Sequence, residues 1–311
     1  MAKVAWIFPG QGSQYVGMGK DLADAYPVAR EVFDRAGSVL GFDLARVCFE
    51  GPEERLRETR FTQTAILAHS VAVLRLLEGR VPAPDYVAGH SVGEYAALVA
   101  AGMVAFDDAL RLVKVRAEAM YEAGLMTPGA MAALMGMPEG NLEALLADAG
   151  RTGVVRAANY NSPVQVVISG EAGAVEAAVK AAPSFGAKRA IPLKVSGAFH
   201  SPLMQPAAAS LAQALKAAAF SKAGIPIVSN VTAQAVTEPA DIIGLLERQL
   251  TSPVLWQQSA RYMADQGVSS FVEVGPGNVL AGLAKRITPD ATCVSLADVR
   301  SVEAFFQGAR A

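Results

Sequence analysis

At 311 residues the chain can bury one large core, or one large domain carrying a smaller one. A hydrophobic content of 52% with 18% charged residues excludes a disordered protein. The net charge of -2, without a dense Lys/Arg cluster, argues against a nucleic-acid binder.

The chain enters an apolar strand, Val4 to Phe8, at once, without the apolar length or cleavage pattern of a signal peptide. Its longest apolar run, Tyr95 to Phe106, is shorter than the roughly 20 residues that span a bilayer. A cytoplasmic protein with no membrane contact is expected, and a monomer is the default. Cys48 and Cys293 have neither a disulfide framework nor metal-ligand spacing. They read as small core residues, and no metal site is expected.

The first strand runs into Pro9-Gly10-Gln11-Gly12-Ser13-Gln14. Gly12 and Gly17 have P-loop spacing, but Met18 stands where lysine is required, and Tyr15 breaks the dinucleotide fingerprint. Glycine here frees the backbone so that amides can approach something closely. Apolar periodicity predicts helices over 20-37, 51-58, 62-78, 93-101 and 107-123, with a short strand at 85-88. That alternation predicts a mainly parallel sheet.

Between this strand and the helix at 93-101 lies Gly89-His90-Ser91-Val92-Gly93. The pattern reads as a nucleophile elbow, a sharp strand-to-helix turn that lifts one serine out of the backbone. The bland reading is a tight turn whose serine caps the helix.

The middle of the chain changes character. Strands are expected at 130-137, 154-159, 164-169 and 188-195, with helices at 139-149 and 171-182. The order β-α-β-β-α-β is the ferredoxin-like pattern. The predicted architecture is α/β. A larger, α/β-hydrolase-like domain (1-124 and 197-311) has a mainly parallel sheet, and a small ferredoxin-like domain (125-196) is inserted into it. A continuation of the main sheet is the alternative. Past Gly197-Ala198-Phe199-His200-Ser201-Pro202, the pattern gives a helix to about 219, a strand at 225-229 and a helix at 241-250. A further strand at 271-274 is stopped by Gly275-Pro276-Gly277.

A serine needs a base to become a useful nucleophile near neutral pH, and the chain has three histidines. His90 adjoins Ser91, so its side chain should leave the turn in another direction. His69, in an apolar helix, reads as a packed histidine with hydrogen-bonded nitrogens. By elimination His200, in a glycine- and proline-bounded loop, is the expected base. No obvious aspartate completes a triad. Glu273 and Asp241 cannot be placed beside His200 from sequence, and a carbonyl could orient the ring equally well.

Arg116 is the other outlier. On the helix 107-123 the charged residues Asp107, Arg111, Lys114, Glu118 and Glu122 share an arc of about 80°. Arg116 falls roughly 160° from its centre, on the apolar side. It must snorkel, pair with an internal carboxylate, or await an anionic ligand. A guanidinium matches a carboxylate bidentately, so a carboxylated acyl group is the sharp form of the last reading.

Together these motifs resemble the malonyl-CoA:acyl carrier protein transacylase family, over essentially the whole chain. Those in register are Gly10 to Gln14, Gly89 to Tyr95, Arg116, Asn161-Ser162-Pro163, Gly197 to Ser201 and Glu273 to Pro276. The resemblance implies a ping-pong transfer of malonyl from malonyl-CoA to the phosphopantetheine thiol of acyl carrier protein in fatty-acid synthesis. It needs no cofactor of its own, since the phosphopantetheine sits on the carrier. It makes Ser91 the acylated nucleophile and His200 its base, with the Gln11 and Val92 backbone amides receiving the oxyanion. Arg116 would clamp the malonyl carboxylate, and the Gln249 carbonyl would orient His200. Gln63 and Asn161 match pocket positions, and Phe199 looks like the malonyl-preferring version of the pocket. Val92 departs from the commoner leucine, which a backbone role tolerates.

A serine esterase shares the elbow, but such hydrolases usually place an acid between serine and histidine in chain order. A trans-acting polyketide malonyltransferase and a carrier-binding module without chemistry also compete. An acidic carrier would suit a basic dock, for which Lys188, Arg189 and Lys194, or Lys285 and Arg286, are candidates.

Overall fold

The computed structural model describes residues 2-195 and 197-308. Ser196, the last residue of the segment expected to form the small domain, lies outside them. Among these residues ten strands follow in chain order. The first five are β1 (Lys3–Phe8), β2 (Tyr86–Gly89), β3 (Gly129–Met135), β4 (Val155–Ser162) and β5 (Gln165–Glu171). The others are β6 (Arg189–Pro192), β7 (Ile227–Val228), β8 (Ala235–Val236), β9 (Val268–Val274) and β10 (Thr292–Leu296).

They form two sheets. The first has the order β10-β9-β1-β2-β7-β8, parallel throughout except for the edge strand β8. Alternation along β1 sends Trp6 and Phe8 to one face and Ala5 and Ile7 to the other. Trp6 and Phe8 join the large core with helix Thr59–Leu77, which is buried on nearly every side. Ala5 and Ile7 pack with Trp256, Met263 and Leu283, which belong to helices Trp256–Asp265 and Val279–Ile287. Both faces are covered, which is why the strands read as continuous apolar runs.

The second sheet, β4-β5-β3-β6, is antiparallel, and helices Leu142–Ala149 and Ala172–Ala181 pack on it. Numbered within this segment the order is 2-3-1-4, the ferredoxin-like arrangement. The second sheet is tied to the rest of the chain where Tyr160 donates its N–H to Val254 (2.9 Å), in the loop before helix Trp256–Asp265, and Val254 donates to Ala158 (2.8 Å).

Several elements depart from the sequence expectations. The helix expected over 20-37 is two, Lys20–Ala25 and Pro27–Leu40, with Tyr26 extended between them. The Pro27 ring excludes helical backbone at the residue before it and suits the first helical position after it. The helix at 51-58 shortens to Glu53–Arg57 and follows an unexpected one, Leu44–Glu50, capped by the Asp43 carboxylate on the Arg46 N–H. The strand at 188-195 is only β6, an edge strand ending at Pro192, which has no N–H to pair. Among the described residues no helix is long and apolar enough to cross a membrane.

Candidate active site

Ligand sites in open parallel sheets lie beyond the carboxyl ends of the strands. Phe8 pairs with Gly89 at the last position of β1 and β2, so the loops carrying Gln11 and Ser91 leave the sheet side by side. The turn after β2 is as tight as its glycines imply. A Cβ on Gly93 would stand 2.1 Å from the Phe8 carbonyl oxygen, and one on Gly89 1.9 Å from the Gly93 carbonyl carbon. Ser91 sits at the apex with φ 53°, the left-handed region that side chains disfavour. It precedes helix Gly93–Ala100 and projects its hydroxyl into a cavity of about 180 Å³ between the two sheets.

The Ser91 Oγ lies 2.8 Å from His200 Nε2. The other ring nitrogen, Nδ1, is 2.9 Å from the Gln249 carbonyl oxygen. A carbonyl only accepts, so Nδ1 carries the proton and Nε2 presents its lone pair to the serine. Burial, then the Arg116 charge, pulls the His200 pKa down to about 3, so the ring is neutral. Neither Glu273 nor Asp241 bonds to it. Glu273 caps helix Val279–Ile287 through the Leu280 (3.0 Å) and Ala281 (2.8 Å) N–H groups, and Asp241 lies exposed in the first turn of helix Pro239–Gln249.

Arg116 is 1% exposed. Its guanidinium donates to Gln63 Oε1 (2.5 Å), Gln249 Oε1 (2.9 Å) and the Ser91 hydroxyl (2.9 Å), while Nε has no partner. The internal carboxylate that the helical wheel allowed does not touch it: Glu94 lies behind Gln249, which bonds to both, and acts on Arg116 only through space. Among the described residues no carboxylate forms a direct ion pair with Arg116, and its hydrogen-bond partners are neutral. Such a buried cation is costly until an anion reaches it.

The other expected positions line the same cavity: Gln11, Val92, Gln63, Asn161 and Phe199. The main-chain N–H groups of Gln11 and Val92 donate to nothing among the described residues, which leaves them available to a ligand. His90, expected to turn away, lines the cavity too. Its Nε2 is 2.9 Å from Asn161 Oδ1, and its ring packs 5.8 Å from Trp256. His69 lies buried within its helix, and neither ring nitrogen has a hydrogen-bond partner among the described residues, contrary to expectation. Cys48 is buried as a core residue, and Cys293 is half-buried at the sheet edge. Among the described residues no cluster of His, Cys, Asp or Glu could hold a metal ion.

Two buried polar residues behind the elbow escaped the sequence reading. Glu94, 1% exposed, accepts from Gln249 Nε2 at 2.5 Å and from the Asn230 N–H at 3.4 Å. Burial raises its pKa to about 7. Asn230, fully buried, bonds to the elbow main chain on both sides of His90. A charged residue opening an otherwise apolar helix was the available signal for Glu94. Nothing local marks Asn230, because its position depends on β7 lying beside β2.

A family model for the acyl transferase domain matches residues 5-299. The malonyl CoA-acyl carrier protein transacylase of Bacillus subtilis is 45% identical over 308 residues, covering 99% of this chain and 97% of its own. That of Escherichia coli K12 is 46% identical over 297 residues, covering 95% and 96%. Among solved structures, an acyl carrier protein S-malonyltransferase from Vibrio cholerae matches with a TM-score of 0.94 at 44% identity, covering 98% of this chain and 100% of that one. A malonyl-transacylase solved in complex with its type II PKS acyl-carrier protein matches with a TM-score of 0.95 at 41% identity, covering 99% and 100%.

Proposed function

The chain belongs to the acyl transferase family, and from that membership we propose the reaction it carries out. It moves a malonyl group from malonyl-CoA to the phosphopantetheine thiol of acyl carrier protein, in fatty-acid biosynthesis. The observation that carries the reading is Arg116, a buried cation with only neutral partners, 2.9 Å from the hydroxyl of the elbow serine. A site for a neutral ester has no use for that charge. A malonyl group brings the carboxylate that matches it.

In the first half-reaction Ser91 Oγ attacks the thioester carbonyl and its proton passes to His200 Nε2. The carbonyl oxygen becomes an oxyanion facing the Gln11 and Val92 N–H groups. The carbon–sulfur bond breaks, the proton on His200 goes to the departing coenzyme A sulfur, and malonyl-Ser91 remains. In the second half the carrier thiol gives its proton to His200 and attacks that ester. The ester carbon–oxygen bond breaks, and Ser91 regains a proton from the imidazolium. The Gln249 carbonyl keeps the proton on Nδ1 throughout, in place of a triad acid. Arg116 holds the malonyl carboxylate, and Gln63, Asn161 and Phe199 shape the acyl pocket. The chemistry needs nothing beyond its two substrates. A cytoplasmic monomer remains our expectation for the working protein.

The test is a transfer assay with malonyl-CoA and holo acyl carrier protein. Malonyl carrier forming in step with coenzyme A release supports the reading. Free malonate at that rate, with carrier present, defeats it in favour of a hydrolase. The relative solved with a type II PKS carrier raises a second acceptor class. Comparing kcat/KM for fatty-acid and polyketide carriers decides between them.

A further inference from the structure

Neither the serine, its base nor the arginine explains how the elbow holds its shape. Ser91 is a non-glycine residue at φ 53°, a conformation that persists only where surrounding contacts over-determine it. Part of that restraint comes from one side chain on another strand. Asn230 follows β7, the parallel neighbour of β2, and its side-chain amide bonds to the turn. Oδ1 accepts the Ser91 N–H at 2.7 Å, and Nδ2 donates to the Gly89 carbonyl at 2.6 Å. The amide therefore closes a ring across the two peptide units that flank His90.

Asn230 is itself held on its backbone. Its carbonyl accepts from Leu255 N–H at 2.9 Å, and its N–H faces Glu94 Oε1 at 3.4 Å. The same carboxylate accepts from Gln249 Nε2, which also donates to the Ser91 carbonyl at 3.1 Å. The Ser91 residue is thus gripped at its N–H by Asn230 and at its C=O by Gln249. The next N–H along the chain is that of Val92, which lines the cavity and whose N–H donates to nothing among the described residues.

We propose that Asn230 is a positioning residue for the transfer reaction, whose amide fixes the elbow so that the Ser91 hydroxyl and the Val92 N–H point at the same acyl carbonyl. This rests on the acyl-serine reading above. A shift of about 1 Å in such a donor can cost about 100-fold in rate. The contribution is common to all acyl groups, because the elbow touches the carbonyl and not the malonyl tail.

Two variants test it. Asn230→Ala removes both bonds, and Asn230→Asp keeps the shape. A protonated carboxyl in the second variant reproduces the amide pattern, with its O–H donating to Gly89 and its C=O accepting from Ser91. The ionised form cannot donate. Glu94 is the ionisable group bonded to this residue, with Arg116 beyond Gln249, and burial beside Glu94 favours the protonated form. The measurement is single-turnover acylation by malonyl-CoA and acetyl-CoA, with melting temperature followed in parallel.

Asn230→Ala is expected to slow acylation by about 100-fold for both donors, with their ratio unchanged. Asn230→Asp is expected to retain acylation at acidic pH and to lose it through one new ionisation as pH rises. If Asn230→Ala does not fold, the pH profile of Asn230→Asp decides alone. Folded variants with wild-type acylation rates and a wild-type pH profile overturn the proposal while leaving the acyl-serine reading intact. Wild-type protein that forms no acyl-serine overturns that reading instead.

Discussion

His200 Nε2 stands 2.8 Å from Ser91 Oγ, and the two residues share a backbone feature, left-handed φ values of 57° and 53°. Each is an L-residue where glycine is the comfortable choice, and each costs about 1–2 kcal/mol for it. The pair brings its side chains together from the carboxyl end of β2 and from the loop after β6, at the expense of local strain on both sides.

That strain predicts a stability effect separate from activity. Ser91→Gly and Ser91→Ala should both be inactive. Ser91→Gly should nonetheless be more stable by about 0.5–1 kcal/mol, after allowing for the greater freedom of glycine in the unfolded chain. Chemical denaturation of the two variants measures it. Equal stability, or a more stable Ser91→Ala, would show that the turn is not strained.

Arg116→Ala should change donor preference rather than abolish chemistry. Removing the partner of a buried carboxylate costs about 3–5 kcal/mol, so malonyl transfer should fall by about two to four orders of magnitude. Acetyl transfer, which presents no carboxylate, should fall far less. Rates with the two donors, compared as kcat/KM, check this, and equal losses would remove Arg116 from acyl recognition.

The depressed His200 pKa, about 3, has a definite sign in a pH profile. An unperturbed histidine protonates near 6.5, whereas this one keeps its lone pair well below that. The acid limb of kcat/KM should therefore lie well under pH 6.5 with an acetyl thioester of N-acetylcysteamine, a donor without ionisable groups. Arg116→Gln removes the second cause of the shift, so its limb should move upward toward 6.5. Stability follows the same linkage. Between about pH 6.5 and 3 the unfolded chain binds a proton that the folded site refuses, so this histidine lowers stability as pH falls. An acid limb at 6.5 or above in the wild type would contradict the assignment.

Much of the site is legible in the sequence because it depends on local geometry. The elbow needs glycine at 89, where the Gly93 backbone passes close by, and at 93, where the Phe8 carbonyl does. Arg116 announces itself by falling on the wrong side of its helix. The parallel sheet and the ferredoxin-like order follow from alternating elements. What was not legible depends on contacts between distant segments. Asn230 lies 139 residues from Ser91, and only the β2–β7 pairing brings it there. His90 faces the cavity because Asn161, on β4, holds its ring. The split at Pro27 was written in the chain, but apolar periodicity alone runs straight through it.

Everything in the proposed reaction turns on Ser91 carrying the malonyl group between two thiols. Intact mass spectrometry of the protein after malonyl-CoA, before and after adding holo acyl carrier protein, follows that group step by step. One malonyl adduct is expected, located on Ser91 by peptide mapping and missing from Ser91→Ala, that moves quantitatively to the carrier. An adduct that persists on Ser91→Ala, or one that leaves as free malonate with the carrier unmodified, would contradict it.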